Sequence, residues 1–236
     1  MIRSSLALRL TLVAVAVLCI AGFSTSVPVD SGLPEDEPAI LPIQEPVIVE
    51  SGWCSVPNGT FGSSCYQYSV VVQNANESDL RDVTLVVTGK DGADATVFSQ
   101  EEAIPLIVAG DCSLLGGSVG NGTAALSLEF SVSGGTLAKT PAYEAANAYV
   151  VEDVFENNGG PEGMSYSGIV RTGDAAPEGF SKVKVNVLLR DKSSVLTAGY
   201  STVIDAGPVG EAVPFEMQAP GMPQHSSYEV SAIPWR

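Results

Sequence analysis

From Val47 onward the chain runs as short segments rich in Val, Thr, Tyr and Phe, broken about every eight to twelve residues by Gly, Asn, Asp or Pro clusters. Such spacing is the pattern of a β-sandwich or barrel. Val83, Leu85 and Val87 alternate with Asp82, Thr84 and Val86, and Val183, Val185, Val187 and Leu189 alternate with Lys182, Lys184, Asn186 and Leu188. A period of two places the first set of each run on one buried face of a strand. The two runs lie 100 residues apart, and that offset recurs without a gap. Tyr66 matches Tyr166, Val70 matches Val170, Lys90-Asp91 matches Arg190-Asp191, Gly110-Asp111 matches Gly210-Glu211, and Ser127 to Ser131 matches Ser227 to Ser231. Identities over 66–131 against 166–231 number only eleven, so the argument rests on matched strand patterns and matched Gly-acid turns.

The expectation is an all-β chain: two tandem immunoglobulin-like β-sandwich domains, at 47–140 and 146–236, after a signal peptide and a Pro-rich linker. Domains of that size bury enough surface to fold without metals or dense disulfides. The junction at 136–147 (TLAKTPAYEAAN) does not read as a long flexible linker, and a short helical turn is expected at Tyr143 to Ala148.

Residues 1–26 carry Arg3 and Arg9, then the apolar run Leu10 to Phe23, then Ser24, Thr25 and Ser26, the three-part layout of a secretory signal peptide. The run has 14 residues, short of the roughly 20 a helix needs to cross a bilayer, which favours cleavage over a permanent anchor. Cys19 is a weak lipidation candidate, because Leu18 stands where lipoprotein-type signals want a small residue. Residues 27–46 hold prolines 28, 34, 38, 42 and 46 and no basic residue, a semi-rigid acidic spacer. A spacer is most useful to something attached, so a membrane tether through the N-terminus stays as the alternative to release. Either way the chain is expected to be exported, to the cell surface or the extracellular space.

The chain has 27 acidic and 11 basic residues, a formal net charge of −16, and loses Arg3 and Arg9 with the signal. Such a surface repels phosphate backbones, so nucleic acid is not an expected partner. The expected partner is an unknown protein or glycan, and sandwich edge strands also permit self-association. Beyond Cys19, Cys54 and Cys65 flank the turn signal Pro57 to Thr60 and form the disulfide candidate, leaving Cys112 as the unpaired thiol; the other two pairings stay open. Asn58, Asn76 and Asn121 head N-glycosylation sequons.

The second copy resembles the FxLYD type of immunoglobulin-like domain over about Tyr166 to Val230. The resemblance lies in Gly168-Ile169-Val170, in the run Val183 to Asp191 (VKVNVLLRD), and in Pro208-Val209-Gly210-Glu211 with Pro214-Phe215. Val187 replaces the family's aromatic residue and Arg190 its tyrosine; in the first copy Gly89 stands where Leu189 does. The resemblance implies a small sandwich and no activity.

Catalysis is not expected. Gly116-Gly117-Ser118-Val119-Gly120 has the spacing of a hydrolase nucleophile elbow, but no helix-period segment follows it, and the one histidine, His225, lies in the other copy. The elbow residues read as a glycine-rich loop between strands, and His225 as a surface loop residue. A lone histidine also fits few transition-metal sites. Among oxygen ligands, Asp91 to Asp94 lack the alternation of a calcium loop and read as a hairpin turn. No cofactor is expected. Trp53 and Trp235 are expected to pack in cores first and to anchor interfaces second.

Overall fold

The computed structural model describes residues 43–56, 64–138, 148–158 and 163–236. Twelve strands are formed among them: β1 (Val47–Val56), β2 (Ser64–Gln73), β3 (Leu80–Lys90), β4 (Thr96–Ile107), β5 (Cys112–Gly122), β6 (Ser127–Leu137), β7 (Tyr149–Asn158), β8 (Met164–Thr172), β9 (Lys182–Arg190), β10 (Leu196–Asp205), β11 (Ala212–Gln218) and β12 (Ser227–Trp235). They pair antiparallel in four three-stranded sheets, β1-β2-β5 with β4-β3-β6 and β7-β8-β11 with β10-β9-β12. The second pair repeats the topology of the first six strands later, so the chain is two β-sandwiches built on one plan.

The turns repeat as well. In the β3–β4 hairpin Asp91 Oδ1 accepts hydrogen bonds from the amides of Ala93 (2.8 Å) and Ala95 (2.9 Å), and in the β9–β10 hairpin Asp191 Oδ1 accepts from Ser193 (2.7 Å) and Val195 (3.0 Å). Asp94 and Ser194 both adopt a φ of 63°. An aspartate that caps its own turn explains why Asp91 and Asp191 survive in two otherwise diverged copies.

Period-two patterning builds each core. Tyr66, Tyr68, Val70 and Val72 of β2 and Val83, Leu85 and Val87 of β3 are buried in the first sandwich; Val183, Val185, Val187 and Leu189 of β9 and Tyr166 and Val170 of β8 are buried in the second. Each fully buried aliphatic side chain contributes about 1.5–3 kcal/mol. A one-residue slip of β9 would turn Lys184 and Asn186 into an apolar core, which fixes its register.

One-sided strands should leave Lys184 and Asn186 facing water. They are instead 5% and 0% exposed, and so are Gln67 at 4% and Ser69 at 0% on β2. Residues 42–236 form one compact unit, in which the outward face of the β1-β2-β5 sheet packs against the β10-β9-β12 sheet, chiefly through β10 with β1, β2 and β5 and through β9 with β5. The contact is close because glycines line it. A Cβ on Gly52 would lie 2.0 Å from the Leu196 carbonyl oxygen, one on Gly116 would lie 2.7 Å from Tyr200 backbone atoms, and one on Gly199 would lie 2.5 Å from the Tyr68 carbonyl oxygen. Val71, Leu188 and Leu196 form a small apolar cluster between the sandwiches.

Polar groups buried there find partners across the seam. The Gly116 amide donates to Asn186 Oδ1 at 3.1 Å, and the Gln67 side-chain amide, turned so that its nitrogen meets acceptors, donates across the seam to the Gly199 carbonyl (3.3 Å) and within its own sheet to the Gly117 carbonyl (3.0 Å). Glu102 of β4 accepts from the Tyr68 hydroxyl and pairs with the Lys184 ammonium, which sits 4.6 Å from the centroid of the Trp235 ring. At the rim Arg190 bridges Glu50 (2.5 Å) and Glu229 (3.4 Å), and Arg236 meets Asp82 at 3.0 Å.

Three of the deeply buried tyrosines give the fold a pH limit. Tyr68, Tyr166 and Tyr200 are at most 2% exposed, and burial pushes each hydroxyl well above its ordinary range, reinforced at Tyr68 by Glu102 and at Tyr166 by Glu156. Below about pH 10 the folded and unfolded chains hold these protons equally; above it the unfolded chain ionises first. Stability is therefore expected to stay level up to about pH 10 and then to fall by up to about 1.4 kcal/mol per pH unit per tyrosine. Urea unfolding at pH 8, 10 and 11 checks this, and an unchanged midpoint at pH 11 would contradict it.

A candidate binding groove on the second sandwich

The end of β7, the start of β8, the β9–β10 turn and the β11–β12 loop meet at one end of the second sandwich. They enclose a groove of about 660 Å³ lined by Glu156, Met164, Asp191, Lys192, Met222, Pro223, Gln224 and His225. That volume lies within the range of small-molecule sites. Each wall has a local cause. A bulge between Glu152 and Phe155, with Asp153 at a φ of 50°, re-aims the end of β7 so that Glu156 stands opposite Tyr166. Ser226 Oγ donates to the Asp191 carbonyl at 2.6 Å, tying the β11–β12 loop to the β9–β10 turn.

Glu156 Oε2 is the hub of the groove. It accepts from the Tyr166 hydroxyl at 3.0 Å and lies 2.9 Å from His225 Nε2. The same hydroxyl lies 3.8 Å from Met222 Sδ, and His225 Nδ1 lies 3.2 Å from the Pro223 carbonyl oxygen. Tyr166 is held from behind by the edge of Tyr228, ring centroids 5.1 Å apart.

The first sandwich supplies an internal control. Its Tyr66 hydroxyl is closed off by its own backbone, donating to the Ala125 carbonyl at 3.0 Å and accepting from the Ala125 amide at 2.6 Å. Ala125 stands 100 residues before His225, Ser64 before Met164 and Gly122 before Met222, while Ser55, opposite Tyr66, holds the place of Glu156. Strand β5 runs to Gly122 and leaves a loop at 123–126; β11 stops at Gln218 and leaves one at 219–226. The second copy has thus exchanged strand for loop where the groove opens.

His225 was expected as a plain surface loop residue; it is in the loop, but its side chain is 13% exposed and engaged by Glu156. The Gly116 to Gly120 pattern, expected as a loop, is part of strand β5. Its glycines answer to close packing: a Cβ on Gly117 would meet the Tyr68 ring at 2.6–2.7 Å. Ser118 Oγ lies 2.9 Å from Cys65 Sγ, in the other sandwich from His225. The Asp91 to Asp94 segment is the hairpin turn expected of it.

Cys54, Cys65 and Cys112 are free thiols. Cys54 stands opposite Gln67 and Cys65 opposite Val56, so the two share a face as diagonal neighbours, and residues 57–63 of the connecting turn lie outside the described residues. Burial pushes the Cys54 thiol up, and Cys112 is raised by burial and by Asp111. Among the sequons, Asn121 is exposed at the end of β5, whereas Asn76 is buried. Asn76 Nδ2 donates to the Gln44 carbonyl (2.8 Å) and to Asn74 Oδ1 (2.9 Å), and its Oδ1 accepts from the Gln44 amide (2.8 Å), so the amide clamps the chain entering β1. A glycan there would displace those bonds. Asn58, Cys19, the signal and most of the spacer lie outside the described residues, as does nearly all of the helical turn expected at 143–148. Trp53 packs edge-on against Tyr66, and Trp235 lies under Lys184 at the seam.

A tandem pair of antiparallel β-sandwiches is the class that the fold defines. No protein-family model matches the chain, and no curated protein matches it.

Proposed function

We propose that the protein is an exported, non-catalytic interaction module of the cell surface or extracellular space, in which the first sandwich is structural support and the second carries the recognition groove. The observation that carries this reading is the divergence between the copies. The two frames share their turns, their buried Tyr66 and Tyr166 and their strand order, yet among the described residues Tyr66 is capped by its own backbone where Tyr166 faces a groove. The signal-like residues 1–26 and the acidic spacer add the export. A second reading, a membrane- or lipid-anchored ligand-binding or envelope-assembly accessory protein held by Cys19 or by a retained signal, is favoured by the spacer.

Intact mass of the protein from the membrane, cytosolic and medium fractions of its native host tests the export. A soluble mass beginning near Val27 is expected. A membrane-bound mass carrying lipid on Cys19, or retaining residues 1–26, would select the anchored reading. Full-length chain confined to the cytosol would overturn both.

A further inference from the structure

We propose that the groove of the second sandwich is a copper(I) site, with the thioethers of Met164 and Met222 and the imidazole of His225 as ligands and the Glu156 carboxylate beside them neutralising the cation. The inference rests on the reading of this groove as a ligand site and names the ligand. The chain holds a single histidine and, apart from Met1, three methionines. The histidine and two of those methionines line this one groove, while the third, Met217, fills the core at 2% exposure. At the corresponding places in the first copy stand Ser64, Gly122 and Ala125, none of which offers a soft donor. A groove wall that needed only apolar bulk could be built from Leu or Val, which this chain uses freely elsewhere.

The donor set selects the ion. Thioethers bind soft cations, and imidazole suits copper, whereas calcium or magnesium needs several oxygen ligands. Asp191, the other carboxylate lining the groove, has its Oδ1 committed to the amides of Ser193 and Val195. His225 Nδ1 lies 3.2 Å from the Pro223 carbonyl oxygen and Nε2 lies 2.9 Å from Glu156 Oε2, so a metal taken up at Nε2 would replace that contact and keep the carboxylate beside it. A backbone carbonyl on the other ring nitrogen is the usual outer partner of a metal-binding histidine. Copper(I) on two neutral sulfurs and a neutral nitrogen keeps its single positive charge, which Glu156 balances.

The thiols of Cys54, Cys65 and Cys112 also bind copper(I), so the test must read the methionines themselves. The mature chain, labelled with carbon-13 at the methionine methyls and kept anaerobic with ascorbate, is titrated with copper(I) buffered by bicinchoninate. The Met164 and Met222 methyl resonances are expected to shift and saturate at one equivalent per groove, with Met217 unmoved. Met222→Leu, which keeps bulk and apolarity, is expected to weaken binding at the groove by at least about 10–100-fold, since loss of even an outer partner of a metal ligand costs that much. Met222→Leu binding as tightly as the parent would overturn the site. So would copper(I) taken up with no movement of the Met164 and Met222 methyls, or zinc(II) alone perturbing His225. None of these outcomes bears on the export of the protein, which the mass measurement decides separately.

Discussion

Gly199→Val is expected to lower stability by about 3 kcal/mol or more, the upper part of the range for overpacking a closed contact. The Cβ alone would stand 2.5 Å from the Tyr68 carbonyl oxygen, 2.9 Å from Gly116 Cα and 3.1 Å from Ser69 Cβ. The first two are backbone atoms of strands that are themselves locked in a sheet, so no rotamer change relieves the clash and the seam must open. Opening it would also strip Gln67 and Asn186 of partners that lie across it. The comparison variant is Gly92→Ala, in an exposed turn where the new methyl meets only a Leu126 side-chain tip at 3.3 Å; a change within about 0.5 kcal/mol is expected there. Urea unfolding distinguishes the two, and equal midpoints would show that the sandwiches do not depend on their contact.

Glu102→Ala should cost about as much by a different route. The Lys184 side chain is 6% exposed, so deleting its carboxylate leaves a buried ammonium whose remaining partner among the described residues is the Trp235 ring. Breaking a buried pair on one side costs about 3–5 kcal/mol. Lys184→Met should cost less, because the Glu102 side chain, 21% exposed, can regain water. The double variant Glu102→Leu with Lys184→Met is expected to recover part of the loss, since apolar groups of similar volume replace buried pairs with little penalty, while the Tyr68 hydroxyl still lacks its acceptor. A double variant less stable than Glu102→Ala would contradict the view that the uncompensated charge, rather than the pair, sets the cost.

What the sequence made legible follows period and punctuation. Val83 to Val87 and Val183 to Leu189 declare their buried faces by alternation, and the 100-residue offset yields a repeated plan whose strands and Asp-capped turns the fold bears out. The same alternation misleads at Lys184 and Asn186. Their polarity implies water, but the face that covers them belongs to a sandwich whose strands lie some 70–130 residues earlier, and no local pattern reports that. Glycine misleads likewise: Gly116 and Gly117 imply a loop by composition, whereas the strand needs them because another backbone or a tyrosine ring occupies the place of a side chain.

The groove was illegible for a related reason. Glu156 and His225 are 69 residues apart, and neither sits in a motif. One signal was available: aligned on Tyr66 and Tyr166, the copies differ in chemistry at Ser64/Met164 at the start of their second strands and at Gly122/Met222 and Ala125/His225 just before their last strands. Divergence between duplicated copies marks a place where one of them serves something besides the fold. Asn76 carries the converse lesson, since its triplet matches a modification signal while its amide is consumed in holding Gln44.

The central claim, that two repeated sandwiches are locked face to face as one body, can be measured with the protein's own reporters. Trp53 lies in the first sandwich and Trp235 in the second. Trp53→Phe and Trp235→Phe each leave one tryptophan, so fluorescence-detected urea unfolding follows one half at a time; far-ultraviolet circular dichroism of each variant normalises for its own stability. Coincidence of the fluorescence and dichroism transitions in both variants is the expected result, the mark of a single cooperative unit. Fluorescence that departs from the dichroism in either variant, with one sandwich unfolding while the other stands, would contradict it.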